Sequence, residues 1–212
     1  RRQHRLADRL QDGDGRNDRR TIFGDDLQNL TSLEWDPAGV WLMCPPQLLF
    51  IPNRNADDRP DGPAEVVLDG FQVPTDSHHN FANGLRWGPD GWLYGANGST
   101  TTGTINSDAT KNVSFQGQMI WRYHPDSRVF EIYAEGGGNT FSLEIDEVGR
   151  VFSGTNSGGT RGMYYPQGSY AEKNWGKHGP LTNPYAFGYF KHMQHQGDDD
   201  RDHQQDAEES AG

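Results

Sequence analysis

Cysteine is all but absent from this sequence, and the one present, Cys44, excludes an intrachain disulfide and a cysteine-built zinc cluster. It lies in Trp41-Leu42-Met43-Cys44-Pro45-Pro46 and is expected to be a buried structural thiol. Long apolar runs are missing as well: hydrophobic residues make up 32% of the chain, and no stretch approaches the roughly 18 apolar residues of a membrane span. No amphipathic helical periodicity and no signal peptide can be read, and the first residue is Arg rather than Met. Basic charge is the minority, with 19 Lys and Arg against 30 Asp and Glu for a net charge of −11. That balance argues against a phosphate-backbone partner, so no nucleic-acid binding is expected. What basic charge there is gathers at the start, where residues 1–20 hold seven Arg. Residues 198–212 are acid-rich with little that is apolar, the composition of a disordered tail, leaving 1–197 as the folded unit.

Glycine is plentiful at 27 residues, and the chain has six Trp. Both fit an all-β fold with many turns. One phrase occurs three times: Leu33-Glu34-Trp35-Asp36-Pro37-Ala38-Gly39-Val40-Trp41-Leu42, then Leu85 to Tyr94 (LRWGPDGWLY), then Leu143 to Phe152 (LEIDEVGRVF). Each copy is an apolar strand, a polar turn closing on Gly, and a second apolar strand. Gly39, Gly91 and Gly149 are predicted to supply the positive φ of a tight hairpin. The copies stand 52 and then 58 residues apart, about the length of a four-stranded propeller blade.

A second repeat interleaves with the first. Leu10 to Asp18 (LQDGDGRND) matches Asn53 to Asp61 (NRNADDRPD), with Asp or Asn at the third, fifth and ninth places. A β-rich stretch follows each copy, so the acidic turn is expected to join the middle strands of a blade. The fold class predicted is therefore an all-β propeller, present as a fragment of about three to four blades. One blade is entered near residues 5–27, and the next three occupy 30–72, 83–135 and 140–165. Asn97 to Gln116 reads as a long polar insertion, and Tyr170 to Tyr189 as an ordered loop. About three and a half blades do not close a ring, so the chain is expected to be part of a larger one.

The candidate chemistry lies in loops. Asp76-Ser77-His78-His79-Asn80 precedes the first strand of the 83–135 blade, where loops open on the axial face. His79, with His78 as fallback, is the side chain suited to take a proton near neutral pH; a turn-stabilising surface pair is the alternative. Asn139 follows three Gly and is either a ligand contact or a turn former. Arg161 is either an anion-holding side chain or a solvated loop residue, and His178 is a further loop histidine. Asp12, Asp14 and Asp18 have the spacing of calcium-loop oxygen ligands, but Leu10 holds the first place and no Glu stands at the twelfth. The second copy offers Asn53, Asn55, Asp57 and Asp61. Either turn can be read as metallated with Ca²⁺ or as an unmetallated hairpin.

His79 to Leu85, continuing through Arg86 to Tyr94, resembles the N-terminal propeller of a family of membrane-bound dehydrogenases of planctomycetes and verrucomicrobia. Those proteins often carry a haem-binding CxxCH cytochrome domain. More distantly the segment is similar to the soluble quinoprotein glucose and sorbosone dehydrogenases, six-bladed propellers holding pyrroloquinoline quinone (PQQ) and Ca²⁺. The resemblance covers about residues 8–192. It implies oxidation of a sugar or polyol hydroxyl to a carbonyl, His79 as general base, Asn139 near the quinone, and a periplasmic or extracytoplasmic location; Arg161, by its place in the loop, is the candidate to hold an anionic group of the cofactor. Haem would belong to a separate cytochrome domain acting as electron acceptor. The sequence departs from the pattern at two places: Gly138 stands where the quinone-facing Arg belongs, and Thr155-Asn156-Ser157 replaces the family's E-H-G. The alternative function is a non-catalytic propeller that binds carbohydrate or a protein through its axial face, with Phe81, Phe141, Tyr164 and Tyr185 available to stack on sugar rings.

Overall fold

The computed structural model describes residues 3–9, 19–72, 81–137, 139–140, 142–154, 162–173, 182 and 188–190. Every regular element among them is a strand. β1 (Gln3–Arg9) and β2 (Arg19–Leu27) form a two-stranded antiparallel sheet. β3 (Ser32–Asp36), β4 (Gly39–Cys44), β5 (Gln47–Pro52) and β6 (Glu65–Phe71) form an antiparallel meander, the first four-stranded blade. β7 (Ala82–Trp87), β8 (Leu93–Asn97), β11 (Met119–His124) and β12 (Val129–Gly137) form the second. β13 (Glu144–Ile145), β14 (Val151–Gly154) and β15 (Gly162–Tyr165) begin a third. The fold is all-β and propeller-like, and the described residues form no closed ring.

Three segments differ from their sequence expectation. The Asn97–Gln116 insertion is a hairpin, β9 (Thr102–Asn106) and β10 (Val113–Gln116), which leaves its own blade and pairs with β6 at the outer edge of the preceding one. The stretch around Tyr170 supplies β16 (Ser169–Lys173), and the end of the predicted loop supplies β17 (Gly188–Phe190); β16 pairs parallel with β12 and β17 parallel with β16. Both additions cover an outer edge that would otherwise present unpaired backbone groups. The acidic turn at 53–64 joins β5 and β6, the third and fourth strands, rather than the middle pair.

The repeated phrase forms the two innermost strands of each blade. Gly91 and Gly149 have φ of +80° and +82°, as the hairpin requires. Gly39 is needed for another reason. The first hairpin is one residue tighter, pairing Asp36 with Gly39, and a Cβ on Gly39 would lie 2.2 Å from the Ile51 carbonyl oxygen.

Side-chain alternation assembles one core between each successive pair of sheets. Val40, Leu42 and Cys44 point from β4 toward Phe23 and Leu27 of β2. Trp41 and Met43, on the opposite face, join Leu85, Leu93, Met119, Trp121 and Phe130 of the second blade. The other face of that blade gives Tyr94, Ala96, Ile120 and Tyr133 to a third core with Leu143, Val151, Met163 and Tyr165. Leu33, Leu85 and Leu143 hold equivalent places, each packed into the core its blade shares with the preceding sheet. Face-to-face stacking of successive sheets is the propeller arrangement.

Burial shifts the titration of Cys44, Tyr165, Tyr94 and Tyr133. The Cys44 thiol is pushed up to about 11, so it stays protonated and inert, as expected of a structural thiol. Burial also pushes the Tyr165 hydroxyl up to about 12, and Tyr94 and Tyr133 shift in the same direction. An unfolded tyrosine ionises near pH 10. The stability these groups contribute is present below pH 10 and is lost as pH rises toward 12. Each group lowers the unfolding free energy by up to about 1.4 kcal/mol per pH unit in that window. Thermal melts should show a midpoint that falls steeply between pH 10 and 11.5. A midpoint unchanged over that range would contradict the burial assigned to these tyrosines.

Candidate functional site

The loops that enter the innermost strands all open at one end of the sheets, the upper end. Thr31, just before β3, donates its hydroxyl to the Ala82 carbonyl at the start of β7 (2.6 Å), and the Leu85 amide donates to the Ser32 hydroxyl (2.9 Å). Asn83 links the next pair of loops. Its Nδ2 donates to the carbonyls of Phe81 (2.7 Å) and Thr140 (3.5 Å), and its Oδ1 accepts from the Ser142 amide (3.0 Å). Gly84 allows this approach. It sits at a register shift in β7 with φ of +65°, and a Cβ there would meet the Ser142–Leu143 backbone at 3.0 Å.

Level with the start of β7, where β8 and β12 end and β11 begins, lies a layer of buried polar groups. The Asn97 Oδ1 accepts from the Trp121 indole (3.2 Å). Gln118 donates Nε2 to the Gly137 carbonyl (2.6 Å), and the Asn139 Oδ1 accepts from the Ser99 amide (2.8 Å). The buried Glu135 carboxylate accepts from the amide and hydroxyl of Thr182, the latter at 2.7 Å. Asn97 Nδ2 and Gln118 Oε1 are sealed from solvent without a partner. The glycines here serve packing: a Cβ on Gly136 would strike the Ala171 carbonyl oxygen, and one on Gly137 the Tyr165 hydroxyl.

The innermost strands are tied together by charge. Glu34, Arg86 and Glu144 occupy the same place in the three repeats. Arg86 reaches Glu34 at 3.1 Å and Glu144 at 2.8 Å, bridging all three strands. The hydrogen bonds it donates to Glu144 hold the guanidinium above its ordinary pKa. Arg122, over the Trp92 ring at 4.3 Å, is likewise engaged with Glu131 and Asp90. Among the described side chains, the loops closing on Asn83, Ser99 and Asn139 offer amides, hydroxyls and the Glu135 carboxylate, with no arginine or lysine.

Of the residues predicted for the site, Asn139 is described. It is 8% exposed, and its oxygen secures the 97–101 loop. His79, His78, Arg161 and His178 lie outside the described residues, as do Gly138 and Phe141. So do Asp12, Asp14 and Asp18. Among the described residues, no group of three His, Cys, Asp or Glu could hold a metal ion. Asn83, Asn97 and Gln118 were not singled out from the sequence. Asn83 and Asn97 each stand near a strand end beside a glycine, the signal by which the sequence marks them.

At the matching positions the sequence departs from the quinone contacts that the resemblance implies. The position of the anchoring Arg is Gly138, the Asn139 oxygen is engaged by a backbone amide, and Arg86 and Arg122 are already paired.

A family model described as "Domain of unknown function (DUF7133)" matches residues 2–196, and the chain belongs to that family. No curated protein and no solved structure matches it. No helix among the described residues is long and apolar enough to cross a membrane.

Proposed function

We propose that the upper end of this propeller-like domain binds a neutral polyhydroxylated molecule, a sugar or polyol, among the loops closing on Asn83, Ser99 and Asn139–Thr140. The observation that carries this is the lacing of adjacent loops by Asn83 beside a layer of amides and hydroxyls without a described cation. Amides and hydroxyls offer the paired donors and acceptors that sugar hydroxyls use, while an anionic ligand would call for Arg or Lys. Calorimetric titration of the full chain with a panel of neutral sugars and polyols tests this. At least one should bind, and His79→Ala should weaken binding tenfold or more, since His79 stands two residues before Phe81. Absence of binding across the panel would refute the reading.

A second reading is favoured by the sequence position of His79, two residues before Phe81 at the entry to β7. It makes the domain a sugar or polyol dehydrogenase of the extracytoplasmic space, with His79 taking the hydroxyl proton and a cytochrome c domain receiving the electrons. An absorbance scan after addition of PQQ and Ca²⁺ separates the two. A shifted quinone spectrum with substrate-dependent reduction, lowered about 10²–10⁴-fold in kcat by His79→Ala, supports oxidation. Sugar binding with an unshifted quinone spectrum supports the binding domain.

A further inference from the structure

The β5–β6 turn lies at the opposite end of the first blade from the loops just described. The Asn53 amide donates to the Ala38 carbonyl of the β3–β4 turn (2.8 Å), so the two turns stand side by side. The neck of the turn is closed by Asp61 N–H to the Pro52 carbonyl (2.8 Å) and Ala56 N–H to the Asn53 carbonyl (3.4 Å). Side chains fold back onto the loop. Asn55 Oδ1 accepts from Asp57 N–H (3.2 Å), Asp57 Oδ1 from Arg59 N–H (2.9 Å) and Asp61 Oδ2 from Arg54 N–H (2.6 Å). The sixth residue counted from Asn53, Asp58, has φ of +65°, the left-handed conformation for which calcium loops keep a glycine at that place.

Asn53 is the exception in this turn. It is 5% exposed, and its Oδ1 is sealed from solvent with no hydrogen-bond donor. A buried amide oxygen without a donor is costly, and folded proteins rarely keep one. The residue stands at the neck, between the turn it opens and the Ala38 turn, and no protein donor is there to meet the oxygen. A cation would.

We propose that this turn is a Ca²⁺ site, with side-chain oxygens of Asn53, Asn55, Asp57 and Asp61 at places 1, 3, 5 and 9 and the Arg59 carbonyl at place 7. These are the ligand places of an oxygen-lined calcium loop. The set holds no nitrogen or sulfur ligand, which excludes zinc preference. Two amides and two carboxylates in an exposed turn suit a large, flexibly coordinated cation better than Mg²⁺, which demands near-octahedral geometry. With only two charged ligands, a dissociation constant of about 10⁻⁴–10⁻³ M is expected. The proposal stands apart from the sugar-binding reading, since the turn lies at the other end of the sheets.

The test uses the full chain, stripped with a chelator and then titrated with CaCl₂ by calorimetry and by thermal melting. Ca²⁺ should raise the melting midpoint, and MgCl₂ at the same concentration should not. Asp57→Asn combined with Asp61→Asn keeps the acceptors that hold the turn and removes both charges. It should bind with one Ca²⁺ equivalent fewer than the wild type, whatever the turn at residues 10–18 contributes. Asn53→Asp should bind about tenfold more tightly. It should melt below the wild type in chelator and at or above it in Ca²⁺, a reversal that a merely structural asparagine would not produce. Identical Ca²⁺ titrations of the wild type and the double variant would overturn the proposal. So would an Asn53→Asp chain that Ca²⁺ fails to stabilise, or equal responses to Mg²⁺ and Ca²⁺.

Discussion

Trp121→Ala is expected to destabilise the protein by about 3–5 kcal/mol, the usual loss for a fully buried tryptophan. Trp121 is 0% exposed at the centre of the core between the first two blades, with its ring 5.3 Å from that of Phe71 and 5.8 Å from that of Phe130. It lies across β8 over Gly95, its partner in register, where a Cβ would come within 2.2 Å of the indole. The indole nitrogen also holds Asn97, so truncation frees a buried amide at the upper end. Chemical denaturation measures the loss, and in a chain of this size the melting midpoint should fall by roughly 6–20 °C. The neighbouring Gly95→Ala should cost about 1–3 kcal/mol through overpacking when made alone. With Trp121 already replaced by Ala, it should cost clearly less, because the clashing ring is gone. Strictly additive losses would contradict the contact.

Gly84→Val should have the second largest effect, about 2–4 kcal/mol. A β-branched side chain pays for a left-handed φ, and here its Cβ also meets backbone that has no rotamer to yield. The affected backbone is Ser142–Leu143, the loop that Asn83 ties to the start of β7. Gly84→Val should therefore lose sugar affinity as well as stability. A distant core truncation adjusted to the same stability should keep most of the affinity. Denaturation and calorimetry on the two variants check this, and equal affinities would separate Gly84 from the site.

The strands carrying the repeated phrase were legible because their apolar residues leave no ambiguity. Trp41-Leu42-Met43 and Met119-Ile120-Trp121 are buried on both faces and bounded by turns. Gly91 and Gly149 were legible because a five-residue link needs a left-handed residue at that place; Gly39 was misread because its hairpin is tighter. The β9–β10 hairpin escaped notice for a physical reason. Its alternation is carried by Gly103, Ile105 and Phe115 among Thr, Ser and Asn, so just two large side chains mark the buried face. Its docking on the preceding blade is a long-range pairing with no local signature. β16 and β17 pair in parallel across loops, and periodicity does not report such pairing. In the candidate site, glycine spacing located the loops, whereas the roles of Asn83, Asn97 and Gln118 depend on neighbours 19 to 59 residues away.

The central claim is that adjacent loops, joined through Asn83, form one binding surface at the upper end. Two-dimensional amide NMR of the full chain, titrated with the tightest-binding sugar of the panel, tests it most directly. The account predicts that the amides of Phe81–Asn83, Ser99 and Asn139–Ser142 shift together along one saturation curve, while those of the β5–β6 turn stay in place. Shifts confined to a single loop, or concentrated at the opposite end of the sheets, would contradict it.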